Sequence, residues 1–96
     1  MENLISIEEF CSYQNIEVSF IRSLEAHGLI EIMTIEQSAY IPVNDLSRLE
    51  KLVRMHYDLD INLEGIETIT HLLGRMDDLN KEMLALKNRL RLYENE

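Results

Sequence analysis

The last third of the chain carries an apolar repeat that constrains its fold more than any other feature. From Ile69 onward, apolar side chains recur at alternating steps of three and four residues. A sustained repeat of this kind predicts a long helix whose apolar seam packs against a second helix. The repeat fills every a and d position of four heptads: Ile69, Leu72, Met76, Leu79, Met83, Leu86, Leu90 and Tyr93.

This helix is too long to be covered by one small domain. A helix from Asn62 to the end of the chain would be on the order of 50 Å long. The core of the preceding segment, residues 1–61, is large enough to cover only its first half. We therefore predict a homodimer whose interface is formed by the eight a and d residues. The repeat permits both parallel and antiparallel pairing of the two helices.

Residues 1–61 begin with the pattern of a helix-turn-helix. Ser6 and Glu9 have the spacing of a capping box, which predicts a first helix from Ile7 to Tyr13. A second helix is predicted to end near Ala26, and Gly28 then lies where a left-handed residue is favoured. Two helices joined by a short polar turn are the helix-turn-helix arrangement.

A small hairpin and a third helix follow. "LIEIMTI" is rich in β-branched residues, "EQS" suits a turn, and "AYI" reads as a return strand that ends at Pro42. Asn44 or Asp45 is expected to cap a third helix ending near Tyr57, and Asn62 to cap the fourth. The sequence thus predicts a mainly α fold with two segments. These are a winged helix-turn-helix domain with a small β-hairpin wing, residues 1–61, and a long C-terminal coiled-coil dimerisation helix, residues 62–96.

Negative charge is concentrated on the part of the chain that would read DNA. The net charge is −9, and Arg22 is the only base before Asp45, against seven acidic residues. Because phosphate contacts depend largely on Lys and Arg, this imbalance argues against DNA binding by the chain alone. An acidic surface instead favours a basic protein partner.

The acidic residues of the second helix and wing are therefore the candidate partner-binding surface. They are Glu17, Glu25, Glu31 and Glu36, with Phe20 expected as an exposed apolar contact. In the sequence, no single one of these glutamates can be distinguished from a surface residue that only increases solubility. Taken as a group, with a single base among them, they favour a binding role.

Other kinds of chemistry lack a sequence signature. Cys11 is the only cysteine, which excludes a disulfide within the chain and suits the cytoplasm. We expect it to be a buried structural thiol. His27, His56 and His71 are scattered, and no phosphate loop or nucleophile pattern is present. We therefore expect a non-enzymatic protein with no metal and no cofactor, and no apolar run has the length of a membrane span.

Several stretches carry a resemblance to known families. "IRSLEAHGLI" (Ile21–Ile30), "YIPVNDLSRL" (Tyr40–Leu49) and "LDINLEGIETITHLL" (Leu59–Leu73) resemble the MerR-type winged helix-turn-helix. Within that superfamily, "ISIEEFCSYQNIE" (Ile5–Glu17) and the run from His56 to Leu90 look like chaperone modulators of the CbpM type. This resemblance implies a protein that binds the J-domain of a DnaJ-like co-chaperone and inhibits its action with Hsp70.

Two alternatives remain open. The chain is also compatible with a MerR-type transcriptional regulator that binds DNA. A third possibility is a coiled-coil adaptor whose N-terminal domain merely caps the coil. The charge on the second helix and wing distinguishes the chaperone modulator from the DNA-binding regulator, and it favours the modulator.

Overall fold

A computed structural model of the chain describes residues 3–94. Residues 1, 2, 95 and 96, the outer ends of the two predicted segments, lie outside this described part. The architecture is mainly α with one small sheet, and it confirms the predicted winged helix-turn-helix. The elements in chain order are β1 (Leu4–Ser6), α1 (Ile7–Gln14), α2 (Val18–Ala26), β2 (Met33–Ile35), β3 (Ser38–Pro42), a 3-10 turn (Val43–Asp45), α3 (Leu46–Tyr57) and α4 (Leu63–Glu94).

The ends of the first two helices follow local rules. The Ser6 hydroxyl accepts the backbone N–H of Glu9 at 3.4 Å, which caps α1 as predicted. Asn15 ends α1 in the left-handed conformation, with a φ of 59°. Gly28 has a φ of 73° just after α2, and the next N–H, from Leu29, bonds the Leu24 carbonyl at 2.9 Å.

The wing is part of a three-stranded antiparallel sheet rather than an isolated hairpin. The strand order is β1-β3-β2, with Ile5 opposite Ile41 and Thr34 opposite Ala39. Strand β1 is an addition to the prediction, because a strand of three residues that ends on the helix cap is too short to show alternation. Strand β2 is shorter than predicted because Leu29 and Ile30 are buried in the core instead of paired in the sheet.

One apolar core lies between α1, α2, β3, α3 and the start of α4. Leu24, Ile41 and Leu49 are fully buried at its centre. Ile66 is the buried residue that α4 contributes, and it fixes the first two turns of that helix on the domain. The whole buried set is Ile7, Phe10, Cys11, Phe20, Ile21, Leu24, Leu29, Ile30, Ile41, Leu49, Leu52, Val53 and Ile66.

Helix α4 extends well beyond this core. Its start is capped by Asn62, whose side-chain oxygen accepts the Gly65 N–H at 2.8 Å, as predicted. The helix has 32 residues, and every described side chain from His71 onward is exposed. The described chain consequently measures 60 Å along its longest axis. Neither α4 nor any other helix within residues 3–94 combines the length and apolarity that a membrane crossing requires.

Candidate protein-binding surface

Glu17 lies at the start of α2, where α3 holds the backbone in place. It is the N-terminal flanking residue of α2, and its exposed carboxylate accepts a hydrogen bond from the Ser19 hydroxyl at 3.2 Å. Its backbone N–H donates to the Tyr57 hydroxyl at 3.4 Å. Since Tyr57 is the last residue of α3, this contact ties one end of α3 to the start of the acidic helix.

Phe20 does not form part of the exposed surface, so that prediction was wrong. Its side chain is only 7% exposed. It stacks on His56, with ring centroids 4.5 Å apart, and meets Tyr57 edge-on at 5.3 Å. Phe20 is one turn after Glu17 on the side of α2 that faces α3, so it packs inward. Its role is to position α2 rather than to contact a partner.

Arg22, the one base that precedes Asp45, is engaged by its own helix. Its guanidinium lies 3.6 Å from the Glu25 carboxylate, an i,i+3 pair in which both side chains are partly exposed. The pair offsets part of the negative charge at Glu25. Helix α2 therefore presents an acidic N-terminal end and a locally neutral second half.

The two remaining glutamates belong to the wing. Glu31 is exposed and lines a small cleft with Asp45 and Arg48 from the start of α3. Glu36 is exposed in the hairpin turn with a φ of 49°. The four predicted glutamates thus lie at the two ends of α2, at the base of the wing and at its tip. Arg48 reduces the net negative charge near Glu31, and the sequence did not indicate that the two residues are neighbours.

The predicted coiled-coil seam is fully displayed along α4. Ile69 is half-buried against the domain, whereas the other seven a and d residues are 48–75% exposed. A continuous apolar stripe of this length is unusual on a soluble monomer and normally marks an interaction surface. The dimer interface stays a prediction: Leu72, Met76, Leu79, Met83, Leu86, Leu90 and Tyr93 are positioned for it.

Two histidine contacts help to hold the start of α4 in place. His27 Nδ1 lies 2.9 Å from Glu67 Oε2, which joins the end of α2 to α4. His56 Nδ1 lies 2.9 Å from the Ile61 carbonyl oxygen and fastens the loop before α4. The sequence did not predict the contact between His27 and Glu67. The two residues are 40 positions apart, so no local pattern pointed to the contact.

Cys11 occupies the structural position that was expected. It is buried in the core, and burial raises the pKa of its thiol above the ordinary value. The thiol therefore remains protonated and unreactive at neutral pH. Across residues 3–94, His, Cys, Asp and Glu side chains do not assemble into a group of three able to hold a metal ion.

The fold and the exposed helix define a winged helix-turn-helix protein with an extended C-terminal helix. The family model described as "MerR HTH family regulatory protein" matches residues 5–88. The chain therefore belongs to the MerR helix-turn-helix family. No curated protein matches it.

Proposed function

We propose that this MerR-family chain is a non-enzymatic modulator that acts in the cytoplasm as a homodimer. In this proposal it binds the J-domain of a DnaJ-like co-chaperone and inhibits the work of that co-chaperone with Hsp70. Two kinds of support exist. The resemblance of Ile5–Glu17 and of the run from His56 to Leu90 to CbpM-type modulators suggests the partner. The charge of α2 and the wing suggests that the partner is basic.

The observation that carries the proposal is the charge of α2 and the wing, where Arg22 is the one base. A DNA-reading helix needs free Lys or Arg side chains for the phosphates. Helix α2 has one base, and that base is 3.6 Å from a carboxylate of its own helix. Binding DNA through α2 would bring Glu17 and Glu25 close to phosphate with one base to offset them. A basic protein surface would be attracted to these glutamates instead of repelled, and charge complementarity raises the association rate.

The proposed mechanism is competition. J-domains carry a basic helix that meets an acidic surface of Hsp70. Glu17 at the start of α2, with Glu31 and Glu36 on the wing, would offer that helix an alternative acidic surface. A co-chaperone bound in this way could not present the same helix to Hsp70. Because the contact is electrostatic, affinity should fall as salt increases.

Charge reversal tests the assignment of the surface. The variant carries Glu17→Lys, Glu25→Lys and Glu31→Lys, and J-domain binding is measured by titration calorimetry. The matched control changes the net charge equally on α4, with Asp77→Lys, Asp78→Lys and Glu94→Lys. We expect the first variant to lose at least about tenfold in affinity, corresponding to about 1.4 kcal/mol, and the control to lose much less. Equal losses in both would show that only net charge matters, and no loss in either would exclude this surface.

A transcriptional role is the second candidate, and one observation favours it besides the family. Arg48, Lys51 and Arg54 are spaced three residues apart on α3, and all three are exposed. This basic stripe is able to contact phosphate even though α2 is not. The test is the mobility of duplex DNA with low-micromolar protein at low salt. A shift that disappears when the three residues become alanine would favour the regulator, and an unshifted duplex would favour the modulator.

A further inference from the structure

A second recess lies between α1 and α3. It has a volume of roughly 360 Å³ and an apolar floor formed by Ile5, Phe10 and Leu46. Phe10 is buried, whereas Ile5 and Leu46 are half-buried, so the last two retain apolar surface that the core does not cover. The recess is open to solvent and is large enough for one large apolar side chain. None of the predicted partner-binding residues lines it.

Tyr13 stands at the rim of this recess and is unusually exposed. It is the residue before the last one of α1, and 89% of its surface is accessible. Tyr13 does not contribute to the core, because the buried residues of α1 are Ile7, Phe10 and Cys11. Tyrosine side chains next to an apolar recess are among the commonest energetic centres of protein interfaces, because they bury a large ring and keep a polar end.

The other polar residues of the rim are Glu9, Gln14 and Glu50, so its charge is negative. Glu9 of α1 and Glu50 of α3 both line the recess, and no basic residue does. Within the described residues, neither carboxylate takes part in an ion pair. Their charges therefore remain available to a ligand at the edges of an apolar floor. The complementary ligand has an apolar centre with a basic side chain on each side.

We propose that this recess, the α1–α3 cleft, is a docking site for a short basic segment of another protein. The central residue of the segment would be a large apolar side chain that fills the floor formed by Ile5, Phe10 and Leu46. Lysine or arginine residues on either side of it would pair with Glu9 and Glu50, and Tyr13 would close over the apolar side chain. The inference does not rest on the J-domain proposal, since it concerns different residues and a separate ligand.

The test uses the full chain and a synthetic peptide, Lys-Lys-Leu-Phe-Lys-Lys, blocked at both ends. Two further peptides separate the contributions: one replaces the four lysines by glutamate, and the other replaces Leu-Phe by Ala-Ala. Binding is followed by the backbone amide shifts of the isotope-labelled protein during titration. We expect saturable binding of the first peptide, with the largest shift changes at Tyr13, Leu46 and Glu50. The glutamate and alanine peptides should each bind at least about tenfold more weakly.

Variants of the chain then locate the site. Tyr13→Ala and Glu50→Lys should each weaken the first peptide by about tenfold, the loss expected for a residue at an energetic centre. Glu82→Lys makes the same charge change on α4 and should leave its affinity within about twofold. Tyr13 is so exposed that its replacement does not threaten folding, which keeps the test valid if Glu50→Lys proves unstable.

Three results would overturn the proposal. One is binding that is no weaker for the alanine peptide, which would mean that charge alone attracts the ligand. Another is an equal loss of affinity for Glu50→Lys and Glu82→Lys. The third is a shift of the Tyr13 and Leu46 signals when the protein alone is concentrated, because that would place a second copy of the chain in the α1–α3 cleft. If the α1–α3 cleft does not bind the peptide, the J-domain proposal still stands, because J-domain binding is measured in a separate titration.

Discussion

His27 and Glu67 join the helix-turn-helix to the long helix, with Nδ1 of the imidazole 2.9 Å from Oε2 of the carboxylate. The contact lies near Ile66, the buried residue of α4, so a polar and an apolar attachment fix the same turn of that helix. The start of α4 is thereby held on the domain, and its direction as it leaves the domain is set. A partner bound to the domain and a partner bound to α4 would therefore have a defined relative position.

This pair should contribute modestly to stability. Both side chains are partly exposed, so we expect a coupling free energy of about 0.5 kcal/mol between them. The measurement is a double-mutant cycle with His27→Ala and Glu67→Ala, using urea unfolding of both single variants and the double variant. Additive losses in the double variant would show that the two side chains do not interact in solution.

Two glycines of α4 should respond oppositely to alanine. At Gly65 an added Cβ would lie 2.7 Å from Ile61 Cγ2 and 3.0 Å from Asn62 Oδ1, the oxygen that caps the helix. At Gly74 the same Cβ would meet open space. We therefore expect Gly65→Ala to lower the free energy of unfolding by about 1 kcal/mol through the displaced cap, and Gly74→Ala to raise it by up to about 1 kcal/mol. Thermal unfolding of the two variants checks this, and stabilisation by both would contradict the crowded cap.

A glycine in the turn of the wing should stabilise the fold. Glu36 and Gln37 both have positive φ values, 49° and 69°, which cost free energy for residues with a side chain. Gln37→Gly should relieve this and raise the free energy of unfolding by about 0.5 kcal/mol. Ser38→Gly is the matched control, because Ser38 is in β3 and glycine there should be destabilising. A lower melting temperature for Gln37→Gly than for Ser38→Gly would refute the turn geometry.

The predicted dimer depends on the seam of α4. Leu79→Asp with Leu86→Asp would place charge in a dry interface, and we expect monomers in sedimentation velocity. The control is Leu84→Asp with Leu92→Asp, which alters two exposed leucines of the same helix outside the a and d positions. It makes the same chemical change at similar cost to helix propensity, so it should remain dimeric. A dimer that persists in the seam variant would contradict the coiled-coil prediction.

The sequence predicted most of the fold because the local signals were strong. Ser6, Gly28 and Asn62 each marked a helix end correctly, and each acts through neighbours within five positions. The apolar repeat from Ile69 predicted one uninterrupted helix, and the helix is there. Strand β1 escaped prediction because its partner, β3, lies more than thirty residues away and the strand has only three residues.

The candidate surface was less predictable, for a physical reason. Whether an aromatic residue on a short helix faces solvent depends on what packs beside it, and Phe20 is covered by His56 and Tyr57 from α3. The pairing of Arg22 with Glu25 could have been predicted, because residues three positions apart are neighbours on a helix surface. The α1–α3 cleft gave no signal at all, because its floor combines residues from β1, α1 and α3.

The proposed function requires that the chain bind a J-domain through its acidic surface. The most direct test is calorimetric titration of the purified protein with the isolated J-domain of a DnaJ homologue from the same organism, at a low and a high salt concentration. We expect binding with a micromolar or lower dissociation constant, and we expect the affinity to fall as salt increases. A titration without heat, and without binding of any such J-domain by a second method, would contradict it and leave the acidic winged-helix chain with a different partner.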